Sequence, residues 1–145
     1  MKVEASAVIE RPLDEVFALA ADPKNDPLWA LAVAEARQTS EGPLAVGTTY
    51  EQVLRLLRRR LRITFEVTEY EPNRRLHIGR FSGRLRAAVG RRTFEPVPGG
   101  TRVTFAGEGT SGVFLNLLEP LVNAAASRAV TRDLAKLKAI LEGRQ

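Results

Sequence analysis

The period of the hydrophobic pattern changes once along this chain, and that change sets the fold class. From Thr48 to Gly107, apolar and polar residues alternate in short runs parted by turn residues, as in half-buried strands. From Ser111 onward the apolar residues recur every three or four positions: Leu118, Val122, Ala126, Val130, Leu134, Leu137 and Leu141. That spacing is the mark of an amphipathic helix. Antiparallel strands closed by a single helix make an α+β chain. A helix from Gly112 to Glu142 would be about 45 Å long at roughly 1.5 Å per residue. Pro120 is expected to kink it near its start, by removing a backbone donor and crowding the preceding turn.

The remaining elements read off in order. Residues 2–10 alternate, with Val3, Ala5, Ala7 and Ile9 on one face. Pro12 suits a first helical position, Asp14 and Glu15 suit the first turn, and Leu13, Val16, Phe17 and Ala20 follow at helical spacing. Asp26-Pro27 reads as an N-cap and first helical residue opening a second short helix through Leu28, Trp29 and Leu31. Strands are then expected at Val33–Gln38, Thr48–Leu57, Leu61–Tyr70, Leu76–Phe81, Leu85–Glu95 and Thr101–Gly107. Arg58-Arg59-Arg60 is expected to turn the chain, and Pro98-Gly99-Gly100 to close a hairpin. At 145 residues the whole chain, 1–145, is one domain with its own core.

Composition removes several function classes. There is no cysteine and a single histidine, so disulfides, thiolate metal sites, cysteine nucleophiles and His-rich metal sites are excluded. No metal is expected, since the carboxylates show no ligand spacing, and no cofactor, since no P-loop or dinucleotide fingerprint is present; without a G-x-S-x-G elbow, a serine nucleophile is not indicated either. No apolar run is long enough to span a membrane. The N-terminus MKVEASAVIE lacks a signal-peptide core, and a cytoplasmic location is expected. The net charge is +5, but it is unevenly spread. Residues 55–92 hold twelve arginines against Glu66, Glu69 and Glu71, a local balance of +9. Such a stretch either dresses the outside of a sheet or forms a surface for nucleic acid or an anionic membrane.

Four phrases, in order, resemble the START-like (SRPBCC) superfamily of polyketide cyclases/dehydrases, birch-pollen-allergen-like proteins and lipid-transfer domains. They are IERPLDEVFALAADP (9–23), EVTEYEPNRRLHI (66–78), RRTFEPVPGGTRVTF (91–105) and LAKLKAILEGR (134–144). The resemblance implies a helix-grip fold: a curved antiparallel sheet of about seven strands wrapped around a long C-terminal helix, with two short helices after the first strand. It also implies an apolar cavity between sheet and helix.

Ala124-Ala125-Ala126-Ser127 places small side chains in mid-helix, which either lets helix and sheet approach or leaves a pocket. With the resemblance a pocket is expected, walled by Leu121 and Ala125 from the helix and by Tyr50, Leu54, Phe65, Phe81 and Phe105 from the sheet. Trp29, in the second short helix, stands at the pocket edge or anchors the core. Tyr50 and Gln52 share the inward parity, and each needs a hydrogen-bond partner from the protein or from a ligand. His77 faces solvent if Leu76 and Ile78 face the cavity, and the ligand if the register is reversed. Arg80 shares the parity of Leu76 and Ile78, so it points inward or snorkels to solvent. The expected partner is a small hydrophobic ligand, bound by a monomer or a homodimer. The alternatives are a cyclase or dehydratase moving protons with Tyr50, Gln52 or His77, and a nucleic-acid or anionic-membrane surface on the Arg-rich sheet.

Overall fold

The computed structural model describes residues 2–56, 58–83, 87–109 and 119–143. Its elements are β1 (Lys2–Ile9), α1 (Leu13–Ala20), a 3-10 helix (Pro23–Leu28), β2 (Val33–Gln38), β3 (Thr49–Leu56), β4 (Arg59–Glu71), β5 (Arg75–Gly79), β6 (Val89–Val97), β7 (Gly100–Glu108) and α2 (Glu119–Leu141). The seven strands form one antiparallel sheet in the order β1-β7-β6-β5-β4-β3-β2. Register shifts at Val67/Glu69 in β4 and Val33/Glu35 in β2 bend the sheet where the extra residue is accommodated. The fold is the α+β helix-grip arrangement expected from the sequence.

Alternation decides which side chains enter the core. Tyr50 and Gln52 of β3, Ile63, Phe65 and Val67 of β4, Leu76 and Ile78 of β5, Phe94 of β6 and Val103 and Phe105 of β7 are buried together. Helix α2 lies along β1 and runs in the same direction. Lys2 N donates to Asn123 Oδ1 (3.2 Å), Lys138 Nζ to the Val8 carbonyl (2.6 Å), and Glu10 N to Glu142 Oε2 (2.8 Å). Leu134 and Leu137 carry the helix into the core, with Val130 and Leu141 packed beside them. Gly100 opens β7 so close to β1 that a Cβ there would collide with the Ile9 carbonyl.

Four local expectations are corrected. The second short helix begins at Pro23, and its cap is Asp22, whose carboxylate accepts from Lys24 N at 3.1 Å; Asp26 lies inside the helix and is buried. Of Arg58-Arg59-Arg60, only Arg58 turns, at φ 68°, while Arg59 and Arg60 belong to β4. Strand β5 stops at Gly79, because Arg80 takes φ 52°, and that breaks the parity that would have carried its side chain inward. Leu121 and Ala125 are exposed and do not face the core. The buried stripe through Val130, Leu134 and Leu137 continues at Ser127, Ala126 and Asn123; Ala125 sits about 180° around the helix from Leu134 at roughly 100° per residue. Residues 112–118, where the helix was expected to begin, lie outside the described residues, as do Leu57 and residues 85 and 86; Pro120, where a kink was expected, is the second residue of the described α2.

Candidate functional site

The inward face of the sheet, the 3-10 helix and α2 border an open cleft of about 260 Å³. Its walls include Trp29, Gln52, Ile78, Arg92, Phe105 and Val130, with Asp26 and Asp133 among its polar groups. The apolar part is an aromatic pair: the rings of Trp29 and Phe105 stack 5.1 Å apart at 28°. The Arg92 guanidinium lies over both, 5.4 Å from the Trp29 ring and 5.6 Å from that of Phe105. Such a cation over ring faces is held by the ring quadrupole and strengthened by exclusion of water.

Arg92 comes inward because it alternates in phase with buried Phe94. A buried guanidinium needs an anion and acceptors for its donors. Asp26 supplies the anion: Nη1 and Nη2 donate to its two oxygens at 2.8 and 2.7 Å. Nη1 also reaches the carbonyls of Ala20 (3.1 Å) and Ala21 (3.4 Å). Gln52 Nε2 completes the cluster, donating to Asp26 Oδ2 (2.8 Å) and to the Pro23 carbonyl (3.2 Å). Sequence reasoning missed both Arg92 and Asp26. Continuing the inward alternation of β6 from Phe94 would have marked the arginine.

Two wall groups retain unused capacity. Trp29 is 4% exposed and its Nε1 donor is buried with no hydrogen-bond partner among the described residues. Asp133 Oδ1 accepts from Leu31 N at 3.2 Å and lies 3.7 Å from Arg132 Nε, and burial still raises its carboxyl above the usual aspartate range.

The other expected site residues fall into two groups. Tyr50, Phe65 and Phe81 form a ring ladder in the core, with centroids 5.7 and 5.1 Å apart, and do not line the cleft. Leu54 packs against the same core. The Tyr50 hydroxyl donates to Asp22 Oδ1 at 2.9 Å, so its partner is protein; burial, then the Asp22 carboxylate, push the phenol above its ordinary range. His77 is corrected to the outer face, since Leu76 and Ile78 take the inward positions on either side of it. There its Nδ1 meets Glu69 Oε2 at 2.8 Å, and desolvation lowers its pKa. Arg80 reaches solvent and pairs with Glu66 at 3.0 Å.

A larger groove of about 520 Å³ borders β2 and β3, but its arginines, Arg37 and Arg62, both hold Glu51 and leave no unmatched cation. Among the described residues no group of three or more His, Cys, Asp or Glu side chains could hold a metal. No helix among them is long and apolar enough to cross a membrane.

The family profile described as polyketide cyclase / dehydrase and lipid transport matches residues 1–142. No curated protein matches the sequence. Among solved structures, TTHA0849 of Thermus thermophilus superposes with a TM-score of 0.80 at 22% identity, over 99% of this chain and 98% of that one. DR_A0006 of Deinococcus radiodurans gives 0.73 at 17% identity, over 99% and 98%. Ara h 8.0201 gives 0.73 at 11% identity, over 99% of each chain. At these identities the likeness is one of fold.

Proposed function

The chain belongs to the polyketide cyclase/dehydrase and lipid transport family, and from that premise we propose that it binds a small, mainly apolar and planar molecule bearing a hydrogen-bond acceptor, in the cleft between sheet and α2. One observation carries the reading: the Trp29 Nε1 donor is buried in the cleft wall without a partner among the described residues. Buried donors in folded proteins are almost always paired. The neighbouring polar groups, Arg92, Asp26 and Gln52, satisfy one another and give the indole no acceptor; an occupant that draws the ring edge toward the cleft would supply one. An indole N–H only donates, which selects a carbonyl, ether or hydroxyl oxygen. The volume lies below the roughly 300–1,000 Å³ of common ligand pockets, favouring a fused-ring-sized molecule over a long acyl chain.

A cyclase or dehydratase reading has narrower support. Tyr50 is committed to Asp22 and His77 lies on the outer face. Among the described residues, Asp133 is the cleft group whose raised pKa suits proton transfer.

The test is calorimetric titration with acetylnaphthalene against ethylnaphthalene, which share shape but differ in the acceptor. The ketone is expected to bind about tenfold tighter, the scale of a net hydrogen bond of about 1.5 kcal/mol. Trp29→Phe is expected to remove that preference. Equal affinities, or a preference kept by the variant, would refute the assignment of Trp29. Native mass spectrometry of protein from its own host, followed by extraction, then identifies the natural occupant.

A further inference from the structure

The charge excess of residues 55–92 resolves into two populations. Six of its ten described arginines have a carboxylate: Arg62 with Glu51 (2.6 Å), Arg74 and Arg75 with Glu71 (3.2 and 2.8 Å), Arg80 with Glu66 (3.0 Å), Arg91 with Glu108 (2.8 Å) and Arg92 with Asp26 (2.7 Å). Arg55, Arg58, Arg59 and Arg60 are exposed and have no carboxylate partner among the described residues. All four sit where β3 turns into β4. Arg55 stands directly opposite Arg60 in the ladder, and like charges in that relation destabilise a hairpin. Arg58 adds a positive φ of 68°, disfavoured for a residue with a Cβ. The positive φ is what a two-residue turn between paired Leu56 and Arg59 requires, whereas the Arg55–Arg60 repulsion has no carboxylate beside it among the described residues.

Exposed leucines share this end of the molecule. Leu61, beside Arg60 and opposite Leu54, is 44% exposed. Leu31 is 51% exposed, on the segment that Arg55 N holds by donating to the Ala32 carbonyl at 2.7 Å. Leu28 is likewise exposed. Val33, a wall of the cleft, pairs with Leu54, so cations, leucines and cleft adjoin.

We propose that the β3–β4 hairpin end docks on an anionic lipid bilayer, with Arg55, Arg58, Arg59 and Arg60 on the headgroups and Leu28, Leu31 and Leu61 in the interface. Cations interleaved with exposed aliphatic side chains are what an anionic membrane surface holds. Single-stranded nucleic acid requires exposed stacking rings, whereas Trp29, Phe65 and Phe105 are buried. The docking does not depend on what the cleft holds. If the cleft reading also stands, the bilayer is where an apolar occupant would be exchanged.

Vesicle co-sedimentation at about 0.15 M salt, close to the physiological value, tests this. Binding is expected to vesicles of phosphatidylcholine with about a third phosphatidylserine, and not to phosphatidylcholine alone; binding to both alike, or to neither, overturns the proposal. Each hairpin arginine is expected to contribute about fivefold, so replacing all four by Gln lowers binding several-hundredfold. The control, Arg37, Arg74, Arg75 and Arg102 replaced by Gln, removes the same charge from arginines that already have carboxylate partners and is expected to keep most of the binding. An equal loss in the control would reduce the effect to net charge and overturn the proposal. Leu28→Ser with Leu61→Ser is expected to weaken vesicle binding while leaving oligonucleotide binding unchanged. The reverse result would point to nucleic acid and overturn the proposal. Circular dichroism of each variant separates lost docking from lost fold.

Discussion

Arg92→Leu is the perturbation that the cleft geometry makes most informative. The substitution removes four hydrogen bonds at once: two to Asp26 at 2.7 and 2.8 Å, and two to the carbonyls of Ala20 and Ala21. Those carbonyls end α1, which has no basic residue in its last turn. Arg92 therefore supplies from β6 the cation that a helix C-terminus favours. Asp26 is 3% exposed and would keep Gln52 as its only side-chain donor among the described residues. Breaking a buried pair by removing one partner costs about 3–5 kcal/mol, because the surviving charge stays buried. A domain of this kind is stable by only about 5–15 kcal/mol, so the loss is a large fraction of the total.

Urea denaturation resolves an effect of that size. With a slope of about 1–3 kcal/mol per molar, a loss of about 4 kcal/mol moves the midpoint down by roughly 2 M. The decisive variant is the double one, Asp26→Leu with Arg92→Leu. Removing both charges together is expected to cost about 2–3 kcal/mol less than the two single effects summed, since neither charge is then left alone. A single-variant cost under about 1 kcal/mol, or strict additivity in the double, would refute the argument that this pair is a coupled buried unit.

Three further outcomes are expected. His77 has a folded pKa below its unfolded value through desolvation, so its neutral form is the one the fold favours. Its contribution is complete above the unfolded value of about 6.5 and is lost as pH falls through the folded one; His77→Gln should flatten the dependence of Tm on pH in that window, and an unchanged slope would contradict the assignment. Asp133 is the opposite case, a carboxyl raised by burial, so stability is greatest below its unfolded value and declines as pH rises through the folded one. Asp133→Asn keeps an acceptor for Leu31 N and gives up only the 3.7 Å Arg132 contact, so it should raise Tm at neutral pH by a few degrees; an unchanged or lower Tm would contradict the assignment. Gly100→Ala forces a Cβ onto the Ile9 carbonyl and should cost several kcal/mol in urea, whereas Gly99→Ala, at φ 87° with open space around it, should cost about 1–2.

What the sequence disclosed and what it withheld divide along one physical line. Strand β2 falls on Val33–Gln38 as its alternation predicts, and α1 on the spacing of Leu13, Val16, Phe17 and Ala20. The outward placement of His77 follows from apolar Leu76 and Ile78 beside it. Each of these rests on neighbours within a few residues. Arg92 needs a partner 66 residues away, and nothing near Asp26-Pro27 says that its aspartate leaves the cap to Asp22 and turns inward. Arg80 shows the converse: parity placed it with Leu76 and Ile78, but one positive φ ended the strand before parity applied. The helix phase could be read from Leu134 and Leu137, and following it back would have excluded Ala125 from the wall. An arginine in phase with buried apolar neighbours is therefore worth reading as a demand for a distant carboxylate. Conversely, the clustered arginines of residues 55–92 for which the described chain supplies none, Arg55 and Arg58 to Arg60, are where a partner outside the chain is to be sought.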